Sequence, residues 1–303
     1  MDTNISNLAP KASDYWDEMP TFYKTANVFL FIILLAILGM TIKMLRDVLM
    51  NVKDDLVQSD LLWVLGTPLM VTLCCAVGNI FPRSAELLYS IGLIILMVSL
   101  YKVVSLVYNA FGGTEKFSYW LQDRDRRMRL NVPPLCCCCR CLPSPSPTIE
   151  NLHRLKWVVL QSPVVRIIVQ LVLLIMTWEE IAQDAKSNQL VNLLGVISTM
   201  FGVYVTHILI SMAKEFLDEH GLMVLVRSAD LAQGLFTGIK AIFDAIAKNS
   251  NFGDTDFMNS QANGNFCFNV TASILFFILA LVQFIFVRPG RCKLFSMKIL
   301  ATD

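Results

Sequence analysis

The chain has 303 residues, 55% of them hydrophobic and only 16% charged, with a formal net charge of +1. A soluble globular domain carries about 25% charged residues, so a pair of water-soluble domains, which the length alone would suggest, is excluded. No nucleic-acid partner is expected.

Residues 1–25 are polar and acidic and lack the apolar run of a cleavable leader. They read as an extracellular N-terminus. Asn4-Ile5-Ser6 is a sequon, which makes Asn4 the candidate glycosylation site. Seven apolar segments follow, each long enough to cross a bilayer as a helix: Ala26–Ile42, Leu61–Phe81, Ala85–Phe111, Trp157–Trp178, Gln189–Met212, Leu222–Ala247 and Phe266–Val287. The sixth is the most polar, because Arg227, Asp230, Lys240 and Asp244 interrupt it. The second sequon, Asn269-Val270-Thr271, falls inside the seventh segment and out of reach of a transferase.

Lys and Arg in the connections set the orientation. One side holds 16: three at 43–60, eight at 112–156, Lys214, and four after residue 287. The other side holds five: Lys11, Lys24, Arg83, Lys186 and Lys248. The expected fold is therefore an all-α membrane protein with seven transmembrane helices, N-terminus outside and C-terminus cytosolic. Its parts are an outer N-terminus (1–25), spans 1–3 (26–111), a basic Cys/Pro-rich cytosolic loop (112–156), spans 4–7 (157–287) and a cytosolic tail (288–303).

The loop opens on Gly112-Gly113, and its prolines (Pro133, Pro134, Pro143, Pro145, Pro147) forbid a long helix. Between them lie Cys136, Cys137, Cys138, Cys139 and Cys141. Zinc prefers spaced ligand pairs in a tetrahedron, which four adjacent cysteines supply poorly. A redox site needs a partner and an oxidising compartment. S-acylation fits best, because these cysteines sit beside a span among basic residues. Several palmitoyl chains, at ~0.8 kcal/mol per buried methylene, would staple the loop to the inner leaflet. An unmodified cysteine-rich loop is the plainer alternative. Covalent palmitate apart, no cofactor or metal is expected.

The sixth segment carries a polar stripe. Asp230, Gln233, Thr237, Lys240 and Asp244 fall within an arc of about 80°, with Arg227 beside it and Leu231, Leu235, Ile239 and Ile242 opposite. Such a stripe reads either as internal ion pairs, Arg227 with Asp230 and Lys240 with Asp244, or as one wall of a solute path. Ser162, Arg166 and Gln170 recur every fourth residue on the fourth segment, and Lys102 lies on the third. The candidate path residues are Lys102, Arg166, Gln170, Arg227, Asp230, Gln233 and Lys240. Their cations would receive the acid group of an amphipathic anion whose apolar body packs on aliphatic walls. His207 reads as a packing residue. Pro163 should bend the fourth helix. No catalytic motif and no phosphate-binding glycine loop is present, so the chain does not read as an enzyme, and transport would run down a gradient.

The run Pro134-Leu135-Cys136-Cys137-Cys138-Cys139-Arg140-Cys141-Leu142-Pro143 resembles the cysteine-rich signature of the organic solute transporter alpha subunit family. Phe111-Gly112-Gly113 and Val158-Val159-Leu160-Gln161-Ser162-Pro163-Val164-Val165-Arg166 are similar to the end of that family's third span and the start of its fourth. Arg140 interrupts the cysteine run, and the seventh segment has no acidic residue. The resemblance implies a subunit for facilitated, bidirectional, sodium-independent transport of amphipathic organic anions, such as steroid conjugates or bile-acid-like solutes. It also implies lipidated cysteines, a small single-span beta-type partner and a location at the plasma membrane, typically the basolateral one. A seven-span receptor is the first alternative. Against it, the third span ends Tyr108-Asn109-Ala110-Phe111, without an acidic-Arg-aromatic triplet, and the seventh lacks Asn-Pro-x-x-Tyr. A lipidated trafficking or scaffold protein without transport is the second.

Overall fold

A computed structural model describes residues 12–128, 130–132, 144–178, 185–249, 258–290, 292 and 295. Among these residues the regular structure is all helical: α1 (Ala12–Asp17), α2 (Thr21–Asn51), α3 (Asp55–Ile80), α4 (Ala85–Ala110), α5 (Thr114–Asp123), α6 (Ile149–Trp178), α7 (Ala185–His220), α8 (Met223–Lys248) and α9 (Ser260–Phe286). A single 3-10 turn, Pro82–Ser84, joins α3 to α4. α2, α3, α6, α7 and α9 start several residues before the apolar segments read from the sequence, whereas α4 and α8 match theirs to within a residue. The helix needs only local hydrogen bonds, whereas the segment was bounded by polarity. α6, for example, begins at Ile149 and runs unbroken through Pro163.

Chain chemistry sets the boundaries. Asp54 caps α3 by accepting the Val57 N–H at 2.9 Å, and Asn259 caps α9 by accepting the Ala262 N–H at 2.8 Å. α4 ends where Gly112 and Gly113 take positive φ of 80° and 113°, and the Gly113 N–H turns back to the Tyr108 carbonyl. Gly221, at φ 71°, ends α7 in the same way, and the Leu222 N–H returns to the Leu217 carbonyl. Only Gly221 and Leu222 separate α7 from α8.

The chain divides into two compact units, and α2, α3, α4, α8 and α9 contribute to both. Unit 1 comprises Met1–Lys43, Gly66–Ile95 and Leu231–Phe284. Its core includes Tyr15, Met19, Met258, Ala262 and Phe266, a second cluster of Ile33, Ile37 and Ala280, and the aromatic group Tyr89, Phe236, Phe268 and Phe276. Unit 2 comprises Met44–Leu65, Leu96–Asp230 and Ile285–Asp303. Phe111, Phe117 and Phe216 stack at its centre, with ring centroids 3.9 and 4.4 Å apart. The short helix α5 buries Phe117, Ser118 and Leu121, and Ser118 Oγ donates to the Pro147 carbonyl at 2.6 Å. The Cys/Pro-rich loop thus contains one short amphipathic helix before its prolines.

Among the described residues, six stretches are long and apolar enough to cross a membrane: Thr21–Asn51, Asp55–Ile80, Pro82–Ala110, Ile149–Met176, Leu193–His220 and Ser260–Phe286. Their outward faces carry Phe29, Ile32 and Leu35 on α2, Ile168, Leu171 and Ile175 on α6, and Leu193, Leu194 and Ile197 on α7, all exposed. Water tolerates such contiguous apolar area poorly, and hydrocarbon covers it without cost. The chain is a multi-pass membrane protein on this ground.

The remaining long helix, α8, is 26 residues and long enough to span, but it carries the charges that interrupt the sixth segment. It is amphipathic, with its apolar side outward and part of its polar stripe buried. Leu231, Leu235 and Ile242 are exposed, whereas Gln233 and Lys240 are 2% and 5% exposed. A helix at a water-facing surface would show the reverse.

Candidate functional site

In unit 1 the polar face of α8 meets α4 and α9. Lys240 Nζ donates to Asp244 Oδ1 at 2.6 Å, one turn along its own helix, and to Glu86 Oε1 of α4 at 3.0 Å. It also lies 5.2 Å from the centre of the Tyr89 ring. Gln261 Nε2 of α9 donates to Asp244 Oδ1 at 3.2 Å. The ammonium is buried, while Glu86 is more than half exposed, so the cluster leads from the interior towards the surface. It holds one positive and two negative charges. Lys240 is therefore already neutralised, and a solute's acid group would have to compete with two carboxylates for it.

Gln233, two turns before Lys240, is buried on the same side of the helix. Neither its Oε1 nor its Nε2 meets a hydrogen-bond partner among the described residues. Buried amides are normally satisfied, so this one has capacity left for a polar ligand group or water.

The same unit holds a group of buried asparagines. Asn269 Nδ2 donates to Asn79 Oδ1 at 2.8 Å, and Tyr23 Oη donates to Asn263 Oδ1 at 2.6 Å. Asn269, the residue of the second sequon, is 4% exposed and pairs inside the protein.

In unit 2 the pattern repeats with other partners. Lys102 Nζ donates to Asp60 Oδ1 at 2.8 Å, and Asn109 Nδ2 donates to the other carboxylate oxygen at 2.8 Å. Asp60 is almost fully buried, so these two donors on α4 offset its desolvation. Asp230 accepts from Thr206 Oγ1 of α7 at 2.8 Å. The expected Arg227–Asp230 ion pair is not formed; Arg227 is exposed. Lys240 and Asp244 do pair.

Arg166 and Ser162 mark where α6 and α7 approach each other. Ser162 Oγ donates to the Ser198 carbonyl at 3.0 Å. A Cβ on Gly202 would stand 2.8 Å from Ser162 Oγ, and one on Gly195 would collide with Arg166 Nη1. The two glycines, seven residues apart on one face of α7, admit the serine and the guanidinium of α6. Arg166 is 4% exposed, and Gln170 is half-buried one turn further on.

Among the predicted path residues, Lys240, Gln233 and Arg166 are buried, Lys102, Asp230 and Gln170 are partly buried, and Arg227 is exposed. Asn4 and the five loop cysteines lie outside the described residues. Asp60 and Glu86 are partners in these clusters that the sequence did not single out, and Asn269 stands out in the sequence only as a sequon. Asp60 sits at the edge of the second apolar segment, and Glu86 in the first turn of α4, where a solvated carboxylate favoured by the helix dipole is the default reading. Asparagines carry no spacing signal. Among the described residues, no cluster of His, Cys, Asp and Glu fit for a metal ion occurs.

Comparison with known proteins gives a consistent family. The family model described as organic solute transporter Ostalpha matches residues 8–289. Organic solute transporter alpha-like protein 1 of Caenorhabditis elegans is 26% identical over 258 residues, covering 82% of this chain and 65% of that protein. Organic solute transporter alpha-like protein 3 of the same organism is 28% identical over 245 residues, covering 79% of this chain and 69% of that protein. The matched region thus spans about two thirds of the length of these relatives. No solved structure matches.

Proposed function

Because the chain belongs to the organic solute transporter Ostalpha family, we propose that it is a transporter subunit for amphipathic organic anions, such as steroid conjugates or bile-acid-like solutes. Transport is facilitative, bidirectional and independent of sodium. The observation that carries this reading is α8, which buries Gln233 and Lys240 and turns Leu231, Leu235 and Ile242 outward. A helix that brings polar groups into an apolar bundle, at the insertion cost of charge, normally does so for a solute or ion. Family membership supports the solute.

On this reading α8 is a seventh span, the N-terminus is outside and the C-terminus cytosolic. Lys102, Arg166, Gln170, Arg227, Asp230, Gln233 and Lys240 contribute to the path. The acid group of the solute exchanges for a carboxylate at Lys240, whose more exposed partner, Glu86, is the easier of the two to displace. The cysteines at 136–139 and 141 carry palmitate, and Asn4 is glycosylated. A small single-span beta-type subunit is the partner, at the basolateral plasma membrane.

The test is efflux of a radiolabelled sulphated steroid from vesicles, with and without a co-expressed beta-type subunit. Saturable flux in both directions, unchanged on replacing sodium, is expected. Absence of flux in both conditions, with the protein confirmed in the vesicle membrane, would overturn the transporter reading in favour of a receptor or scaffold.

A further inference from the structure

Ahead of α2, the chain lies across one end of unit 1. Tyr15 and Met19, four residues apart, are 0% and 3% exposed, whereas Trp16, Asp17 and Glu18 between them are exposed. The two buried side chains pack with Met258, Ala262 and Phe266, and Tyr23, Ala26, Cys267 and Val270 close around that cluster. Asn27 Nδ2 adds a long contact to Met19 Sδ at 3.8 Å, and thioether sulfur is a weak acceptor. Residues 18–20 belong to neither α1 nor α2, so a non-helical joint separates this piece from the first long helix. Apolar contacts are non-directional and can part as a unit.

The first turn of α9 joins this piece to the Lys240 cluster. Ala262 belongs to the apolar contact with Tyr15 and Met19, and Asn263 Oδ1 accepts from Tyr23 Oη at 2.6 Å. The two residues before them turn to α8: Ser260 Oγ donates to the Ala247 carbonyl at 2.8 Å, and Gln261 Nε2 donates to Asp244 Oδ1 at 3.2 Å. Beneath the apolar cover the interior is polar. Asn79, Asn263, Asn265 and Asn269 are each more than nine-tenths buried there, and Asn79 and Asn265 share a wall with Met258, Ala262 and Phe266. Such an interior hydrates at less cost than an aliphatic core, because its amides gain water when the cover lifts.

We infer that residues 12–19 form a strap that closes this end of unit 1 and lifts to admit solute towards Lys240. In the proposed orientation this end faces outside, and the inference rests on the transporter reading for what passes. Lifting the strap uncovers the turn that carries Gln261, and with it the Asp244 carboxylate that neutralises Lys240. The strap therefore regulates the site already described, from outside it.

The experiment reads access and flux separately. Ala262→Cys puts a thiol under the strap. A negatively charged methanethiosulfonate is applied to the full chain in nanodiscs, and mass spectrometry locates the modified residue. Labelling of that thiol should be slow. Adding Tyr15→Ala and Met19→Ala together should speed it at least about tenfold, because the rate follows the open population. Met19→Ala alone serves where the pair does not fold. Ile37→Ala, in the separate cluster of Ile33, Ile37 and Ala280, controls for general loosening and should leave the rate within about twofold. Fast labelling with the strap intact, an unchanged rate in the strap variants, or an equal rise in Ile37→Ala would each overturn the strap. Steroid-sulphate efflux, measured in the same variants, should rise with labelling. Unchanged efflux beside faster labelling would overturn the gating role. No efflux from any variant, with labelling accelerated, would remove the transporter reading and leave the strap standing.

Discussion

Lys240 allows a quantitative test of how the buried charge is balanced. Its side chain is 6% exposed, and its ammonium faces Asp244 at 2.6 Å and Glu86 at 3.0 Å, whose side chains are 31% and 56% exposed. Glu86→Gln removes a largely solvated partner while Asp244 remains, so the loss should be about 0.5–1 kcal/mol. Asp244→Asn removes the shorter contact, but Glu86 remains and a third of the carboxylate already reaches solvent, so about 1–2 kcal/mol is expected. The double variant leaves a buried ammonium with no counter-charge, which costs about 3–5 kcal/mol. The double loss therefore exceeds the sum of the single losses by roughly 1–2 kcal/mol, a coupling well above experimental additivity. Thermal unfolding of the full chain in nanodiscs reads this out, at about 2–4 °C per kcal/mol for a chain of this size class. Adding Lys240→Met to the double variant removes the stranded charge and should recover most of the midpoint, because neutral replacement of a buried ion pair is tolerated. Flux should stay low in the triple variant. A double variant no less stable than the summed singles would show that the two carboxylates do not share the ammonium and would refute the argument.

Other substitutions probe the remaining features. Gly39→Ala, with nothing within 4 Å of the new Cβ, should stabilise by about 0.5–1 kcal/mol through helix propensity. Gly202→Ala, which meets Ser162 Oγ at 2.8 Å and Leu100 Cδ2 at 3.2 Å, should destabilise by up to about 2 kcal/mol net. Unfolding midpoints shifting in the same direction for both would contradict the close α6–α7 approach. Arg166→Gln should lower steroid-sulphate efflux without lowering surface expression, and normal efflux at normal expression would remove Arg166 from the path. Asp60→Asn, which strips Lys102 of its partner while keeping the Asn109 contact, should cost about 1–2 kcal/mol in the same unfolding assay, since Lys102 is 27% exposed and partly solvated. Changing all five loop cysteines to serine should abolish hydroxylamine-sensitive acylation, and an unlabelled wild-type chain would refute lipidation of the loop.

How far each feature was legible depends on the range of the interaction behind it. Apolar runs near twenty residues specify helices that satisfy their own backbone in lipid, so the long helices could be read directly, and only their polar ends, such as the eight residues of α6 before Trp157, were missed. The stripe on α8 was legible because helical periodicity places Gln233, Lys240 and Asp244 on one side within fifteen residues. The cysteine run with its flanking prolines was legible as a family signature.

The partners of those residues were not. Glu86 reaches Lys240 across 154 positions, Asp60 reaches Lys102 across 42, and Asn79 reaches Asn269 across 190. Each of these acceptors looks ordinary in its local context: a carboxylate in a first helical turn, another at the edge of an apolar segment, an asparagine near a helix end. Only packing makes them counter-charges or site walls. The sequence alone therefore determined the helices, their apolar faces and which side chains an apolar bundle would bury at a cost. The tertiary structure decided what offsets that cost. It left Lys240 shared by two carboxylates, Asp230 on Thr206 and not on Arg227, and Asn269 paired with Asn79. Such a balance depends on distances between helices, which local periodicity does not encode.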